Sequence, residues 1–145
     1  MSQSLIIADN HPLFRTGVRQ IIDESRLFEV LAEVGDGESC IFQVKNLNPD
    51  CLVLDLNLPG KNGFDVAREL QQLAPDCRII ILSMHSSSEF VEEARRVGCR
   101  GFVGNRKANQ TVHSRQIELV ADVLSVRVDS SLGKVHCCCN FPTGF

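Results

Sequence analysis

The chain has 145 residues, a formal net charge of −3, 43% hydrophobic residues and 23% charged residues, which is typical of a single globular domain. The negative charge argues against a general electrostatic attraction to nucleic acid or to an anionic membrane surface. No apolar run approaches the roughly 20 residues of a membrane span, and MSQSLIIADNH lacks the features of a signal peptide, so we expect a cytoplasmic protein with no membrane partner and with free thiols.

The first half of the chain alternates apolar runs with segments of helical periodicity. Residues 4–8 (SLIIA) predict a strand, and a helix follows over about 12–24, where Pro12 suits the first turn. Residues 28–34 alternate between apolar and polar side chains, as a half-buried strand does, and 37–47 predict a shorter helix.

The third predicted strand, 51–56, ends in an unusual way. It is apolar as far as Leu54 and then reaches Asp55, shortly before the turn signal Pro59-Gly60. Removing a charge from water is costly. A carboxylate at the tip of a buried strand therefore needs either partners or a function.

The second half continues the same alternation. Asn62 is a predicted N-cap for the third helix, and 78–83 is a nearly all-apolar strand, as expected when both faces of a sheet are covered. The residues from Ser86 to Glu89 fit a capping box at the start of the fourth helix. A fifth strand is predicted over 100–104 and a last helix within 108–125.

Five strands that alternate with five helices predict an α/β fold with a doubly wound, five-stranded parallel sheet. We expect the flavodoxin-like strand order 2-1-3-4-5 with helices on both faces. In such sheets, ligands bind outside the carboxyl ends of the strands, where the strand order reverses. The functional site is therefore expected at that edge.

Polar residues follow several of these strand ends. They are Asp9, Asn10, Asp55, Ser83 and Asn105. A lone aspartate after a strand is more often a turn or helix cap, but two acidic positions and a hydroxyl at three neighbouring strand ends favour a divalent-cation site. A carboxylate neutralised by such a cation can act as a nucleophile, as in aspartyl-phosphate chemistry.

Four segments, IIADNHPLFRTG, LVLDLNLPGKNGFDVARELQ, IIILSMH and GCRGFV, closely resemble the receiver domain of bacterial response regulators. The similarity is nearest to the NarL/FixJ (LuxR-type) branch and covers about residues 4–112. It implies a two-component signalling protein in which a sensor histidine kinase phosphorylates Asp55. The phosphorylated domain would then control an output, transcription being the expected one, through a conformational switch.

The same resemblance implies roles for individual residues. Mg²⁺ would be held by Asp9, Asn10, Asp55 and the backbone carbonyl of Asn57. Asn10 replaces the commoner aspartate, which removes one negative charge and predicts weaker Mg²⁺ binding.

Ser83 matches the hydroxyl residue that hydrogen-bonds the phosphoryl group, and Phe102 matches the aromatic residue that rotates inward with it. Asn105 stands where the family has a nearly invariant lysine, whose contact with the phosphoryl group is worth roughly 1.5–3 kcal/mol. Lys107 is a candidate substitute, although a solvated surface charge is its simpler interpretation.

The resemblance also suggests how the chain is divided. We assign 1–125 to the receiver domain and 126–145 to an irregular tail that is too short for the helix-turn-helix domain of NarL-type regulators. DNA would thus be a partner only through an output domain absent from this chain. An isolated receiver and a tail translated out of frame both stay open, as does a homodimer.

Two other functions are alternatives to a phosphorylated signalling domain. A degenerate receiver, acting as a phosphorylation-independent protein-interaction module, is motivated by Asn10 and Asn105. A phosphatase of the haloacid-dehalogenase type would need a second acid two residues after Asp55, where this chain has Asn57, so we expect a protein that is not an enzyme. His11 and His85 flank the predicted pocket, but no evident nucleophile accompanies them and a catalytic triad is unsupported.

Overall fold

The computed structural model describes residues 2–83 and 87–104. They form strands and helices in strict alternation, in chain order β1 Gln3–Ala8, α1 Pro12–Ser25, β2 Phe28–Val34, α2 Gly37–Leu47, β3 Cys51–Asp55, α3 Gly63–Leu73, β4 Arg78–Ser83, α4 Ser88–Arg96 and β5 Gly101–Gly104. The predicted last helix within 108–125 and the tail 126–145 lie outside the described residues.

The five strands form one sheet in the order β2-β1-β3-β4-β5, and every neighbouring pair is parallel. The predicted fold class and strand order are confirmed. Strand order reverses between β1 and β3, because the chain first adds β2 on one side of β1 and then crosses to the other side. This switch point lies beside the carboxyl end of β3.

Successive residues of a strand point to opposite faces of the sheet, and both faces of the central strands are buried. In β3, Leu52 and Leu54 pack into a core beneath α2, α3 and α4, whereas Cys51 and Val53 pack into a second core with residues of α1. All five residues of β3 are buried. The apolar run before Asp55 is thus the signature of a central strand.

Local signals set the helix boundaries. The Asp36 side chain accepts a hydrogen bond from Ser39 N at the start of α2, and Asn62 accepts one from Asp65 N at the start of α3, as predicted for Asn62. The start of α4 differs from the prediction. Its N-cap is Ser87, whose Oγ accepts from Phe90 N at 3.3 Å, so the cap lies one residue after Ser86, the first residue of the predicted box.

Strand β2 forms one edge of the sheet and pairs with β1. Its exposed positions alternate with more buried ones and include Glu29, Leu31 and Glu33. None of the described helices is long and apolar enough to cross a membrane.

Candidate functional site

Asp9, Asp55 and Ser83 are the buried polar or charged side chains of the described residues, with exposed fractions of 3%, 6% and 3%. Each lies at the carboxyl end of a strand or directly after one: Asp9 after β1, Asp55 at the end of β3 and Ser83 at the end of β4. These three strands are neighbours in the sheet. Three of the five polar residues predicted from the strand ends thus lie at one edge of the sheet, beside the switch point.

Asp55 is held at a fixed strand tip. Its Oδ1 accepts a hydrogen bond from Asn57 N at 3.1 Å, and Leu56 N donates to Leu82 O on β4 at 3.3 Å. The first residue of α3 packs tightly against the same tip, since a Cβ at Gly63 would lie only 2.6 Å from Asp55 O. The position of the carboxylate is therefore set by backbone contacts on both sides.

Asp9 is fixed from the opposite side of the pocket. Its backbone N donates to Val34 O at 3.0 Å, which continues the pairing of β1 with β2. The Arg15 guanidinium donates to the Asp9 carbonyl at 2.6 Å and pairs with Glu33 at 3.6 Å. Arg15 had no predicted role, because nothing in its spacing from Asp9 shows that it folds back over the loop.

His11 joins the two carboxylates. Its backbone N donates to Asp9 Oδ1 at 2.6 Å, while its ring Nδ1 lies 3.3 Å from Asp9 Oδ1 and 3.9 Å from Asp55 Oδ2. The sequence placed His11 beside the pocket without a role. Its position in the sequence could have indicated this contact. His11 lies two residues after Asp9 and directly before Pro12, which keeps it out of helical geometry and near the Asp9 loop.

Burial raises the pKa of both carboxyl groups. For Asp55 the largest cause is desolvation, opposed by the hydrogen bond from Asn57 N, and the nearby charge of Asp9 raises the pKa further. For Asp9 desolvation is again the largest cause, opposed by the backbone hydrogen bond from His11. Two buried carboxylates that repel each other favour a bound cation.

The donor set fits a divalent cation. Asp9, His11 and Asp55 each offer one ligand atom, and these atoms lie within 4.8 Å of one another. Carboxylate oxygens are preferred by hard cations such as Mg²⁺. Asn10 directly follows Asp9 and Asn57 lies two residues after Asp55; both are exposed, and their role as ligands stays a prediction.

The residues assigned to the phosphoryl contact and the switch are only partly within the described chain. Ser83 is buried at the end of β4, and Phe102, on β5, is 1% exposed and packs with the core beneath α2, α3 and α4. The ring of Phe102 is thus inside the fold in this structure. Asn105 and Lys107 lie outside the described residues, as does His85.

A model of the response regulator receiver domain family matches residues 5–115. The chain is 36% identical to the transcriptional regulatory protein DegU of Brevibacillus brevis, over 68% of this chain and 42% of that protein. It is 34% identical to the nitrate/nitrite response regulator protein NarL of Escherichia coli, over 69% of this chain and 46% of that protein. The chain therefore spans less than half the length of either curated relative.

Solved structures agree with the sequence matches. A LuxR-family two-component response regulator from Aurantimonas sp. superposes with a TM-score of 0.73 at 28% identity, covering 88% of each chain. The receiver domain of a NarL response regulator from Mycobacterium tuberculosis gives 0.73 at 27% identity, over 87% of this chain and 98% of that one. The chain belongs to the response regulator receiver domain family and is a receiver domain of the NarL/LuxR type.

Proposed function

We propose that Asp55 accepts a phosphoryl group from the phosphohistidine of a sensor histidine kinase. The observation that carries the proposal is the placement of Asp55: it is buried at a fixed strand tip, and its Oδ2 points toward the same pocket as Asp9 and His11. Oδ1 is occupied by the hydrogen bond from Asn57 N. The Asp55 carboxylate is thus held in the pocket with one oxygen to attack phosphorus and the other to contact a bound cation.

The transfer forms a P–O bond to a carboxylate oxygen of Asp55 and breaks the P–N bond of the phosphohistidine, and the departing imidazole takes up a proton. Asp55 becomes an acyl phosphate, and no oxidant or reductant is needed. Because the phosphoryl group ends on the protein itself, the domain acts as a stoichiometric acceptor rather than as an enzyme with turnover.

Mg²⁺ is the cation that we propose for the site, held by Asp9, Asp55 and the groups contributed by Asn10 and Asn57. When bound, it offsets the negative charge of the carboxylates and of the phosphoryl oxygens. The hydrogen bond from His11 N holds the Asp9 carboxylate in position. The Ser83 hydroxyl, at the end of the neighbouring strand, donates to a phosphoryl oxygen, and Phe102 follows its movement.

The partners follow from this assignment. The kinase supplies the phosphoryl group, and DNA is bound by an output domain that belongs to a longer regulator. A phosphorylation-independent interaction module is not favoured, because the described pocket keeps the buried carboxyl groups of Asp9 and Asp55 and the buried hydroxyl of Ser83.

Intact-mass spectrometry tests the chemistry directly. Wild-type protein incubated with acetyl phosphate and Mg²⁺ should gain one phosphoryl group, and Asp55→Asn should gain none. Asp76→Asn is the matched control, because it removes the same charge from an exposed turn and should be modified like the wild type. An unmodified wild type, or an adduct that persists in Asp55→Asn, would show that Asp55 is not the acceptor.

A further inference from the structure

His11 places a ring nitrogen where a third ligand would lie. Its Nδ1 is 3.3 Å from Asp9 Oδ1 and 3.9 Å from Asp55 Oδ2. In an octahedral site with bonds near 2.1 Å, adjacent ligand atoms lie about 3 Å apart and opposite ones about 4.2 Å apart. The two separations from Nδ1 lie near this range, and the three ligand atoms lie within 4.8 Å of one another, so small side-chain adjustments would bring all three onto one ion.

The backbone explains why the ring lies there. His11 precedes Pro12, which disfavours helical geometry, and it adopts an extended conformation with φ −100° and ψ 104°. It is the N-cap residue of α1, yet its side chain makes no capping hydrogen bond. Its backbone N is bound to the Asp9 carboxylate instead, so the loop curls around that group and turns the ring toward the pocket.

The imidazole also has access to solvent. The His11 side chain is 65% exposed, whereas Asp9 and Asp55 are almost fully buried. His11 therefore lies at the mouth of the site and faces its two anionic ligands.

We infer that His11 Nδ1 is a direct ligand of the cation at this site, and that it shifts the preference of the site from Mg²⁺ toward first-row transition cations. The inference rests on the metal site proposed above. Mg²⁺ selects oxygen ligands. Imidazole suits Zn, Cu, Fe and Ni, and Mn²⁺ lies between these ions and Mg²⁺, because it belongs to the same transition series yet favours carboxylates. With Asn10 in place of an acid, the site has fewer negative charges to hold Mg²⁺, which makes the nitrogen ligand more important to selectivity.

The geometry allows one other role for the same ring. With its proton on Nδ1, His11 would instead donate a hydrogen bond to Asp9 Oδ1 at 3.3 Å and would compete with a metal ion for that carboxylate. The two roles predict opposite effects of removing the ring. Loss of a ligand weakens the binding of transition cations, whereas loss of a competitor strengthens the binding of every divalent cation.

Mn²⁺ is the suitable probe, because it has little affinity for thiolates and so avoids Cys137, Cys138 and Cys139 in the tail. Electron paramagnetic resonance of free Mn²⁺, with full-length protein and no phosphodonor, gives its dissociation constant, and competition gives that of Mg²⁺. Pulsed measurements of nitrogen-14 coupling report directly whether an imidazole is bound. The variants are His11→Ala and His11→Asn, the latter keeping a polar side chain that can cap α1, with His136→Ala as a control at the far end of the chain.

Wild type and His136→Ala should show nitrogen-14 coupling, and both His11 variants should lose it. Since changes to residues that only support a metal ligand cost about 10–100-fold in affinity, loss of the ligand itself should weaken Mn²⁺ binding by about tenfold or more, and Mg²⁺ binding much less. Circular dichroism must show that the variants are folded.

Absence of nitrogen-14 coupling in the wild type, equal weakening of both ions, or tighter Mn²⁺ binding in folded His11→Ala would overturn the inference. Its failure is distinguishable from failure of the proposed function. Nitrogen coupling without an Asp55 phosphoryl adduct would leave the ligand assignment standing, and an adduct without coupling would leave only the phosphoacceptor.

Discussion

Replacing Gly63 with alanine should damage both stability and the phosphoacceptor, because α3 begins in contact with the tip of β3. An added Cβ would lie 2.6 Å from Asp55 O and 2.8 Å from Leu56 Cα, and both of these are backbone atoms that cannot rotate away. Real Cβ contacts are essentially never this short. Either the first turn of α3 or the strand tip must therefore move.

The cost can be bounded from known cases. Overpacking of this kind typically costs about 1–3 kcal/mol, which is a large part of a domain stability of about 5–15 kcal/mol. Each kcal/mol lowers the melting temperature of a domain of this size by about 2–4 °C. Gly63→Ala should therefore melt several degrees below the wild type, although alanine is the better helix former.

The matched control is Gly35→Ala, whose Cβ would meet Arg15 Nη1 at 3.4 Å and Asp9 O at 3.9 Å, both ordinary van der Waals contacts. Thermal and urea denaturation followed by circular dichroism measure both variants, and intact-mass spectrometry measures how fast each accepts a phosphoryl group from acetyl phosphate. Gly63→Ala should be less stable and slower, and Gly35→Ala close to the wild type. If Gly63→Ala matched the wild type in both respects, the packing argument for a fixed Asp55 would fail.

Two further predictions concern other parts of the fold. Asp36→Ala removes the N-cap of α2 and should lower the free energy of unfolding by about 1 kcal/mol at neutral pH. The hydrogen bond from Ser39 N holds the pKa of Asp36 in the folded protein below its ordinary value of 3.8. The stabilisation is therefore present above pH 3.8 and disappears as the pH falls through the lower pKa of the folded protein. Urea denaturation of both proteins at a series of pH values should therefore show a difference that narrows in acid, and a constant difference would contradict the linkage. Burial raises the pKa values of the Cys40, Cys77 and Cys99 thiols to about 12. Brief iodoacetamide treatment followed by peptide mapping should therefore label these three cysteines only after unfolding. Rapid labelling in the folded protein would show that they are not buried.

The fold was predictable because the sequence pattern carries it. The unbroken apolar run of β3, the alternation in β2 and the N-cap at Asn62 each report a local environment that tertiary packing then confirms. Once the strands and helices are known to alternate, a parallel sheet places Asp9, Asp55 and Ser83 at one edge. Burial of all three was therefore inherent in the pattern.

The sequence pattern does not show in which direction individual side chains point. The spacing of His11 and Arg15 from Asp9 does not show that one ring turns toward the carboxylates and that the guanidinium folds back onto a carbonyl. The cap of α4 shows the same limit on a smaller scale, since consecutive serines all have capping chemistry and only the backbone path selects Ser87. Asn105 and Lys107 stay predictions.

The edge position of β2 has a consequence for how copies of this chain behave in concentrated solution. An outer strand offers unpaired backbone groups that another chain can extend by strand addition, and natural proteins oppose this with charged side chains along the edge. Here Glu29 and Glu33 stand on exposed positions of that strand, and Glu33 pairs with Arg15 and Arg19, so a second copy docking its own β2 alongside would have to desolvate charged groups. This border of the sheet therefore resists fibrillar growth, and Leu31 between them does not form an uninterrupted apolar strip.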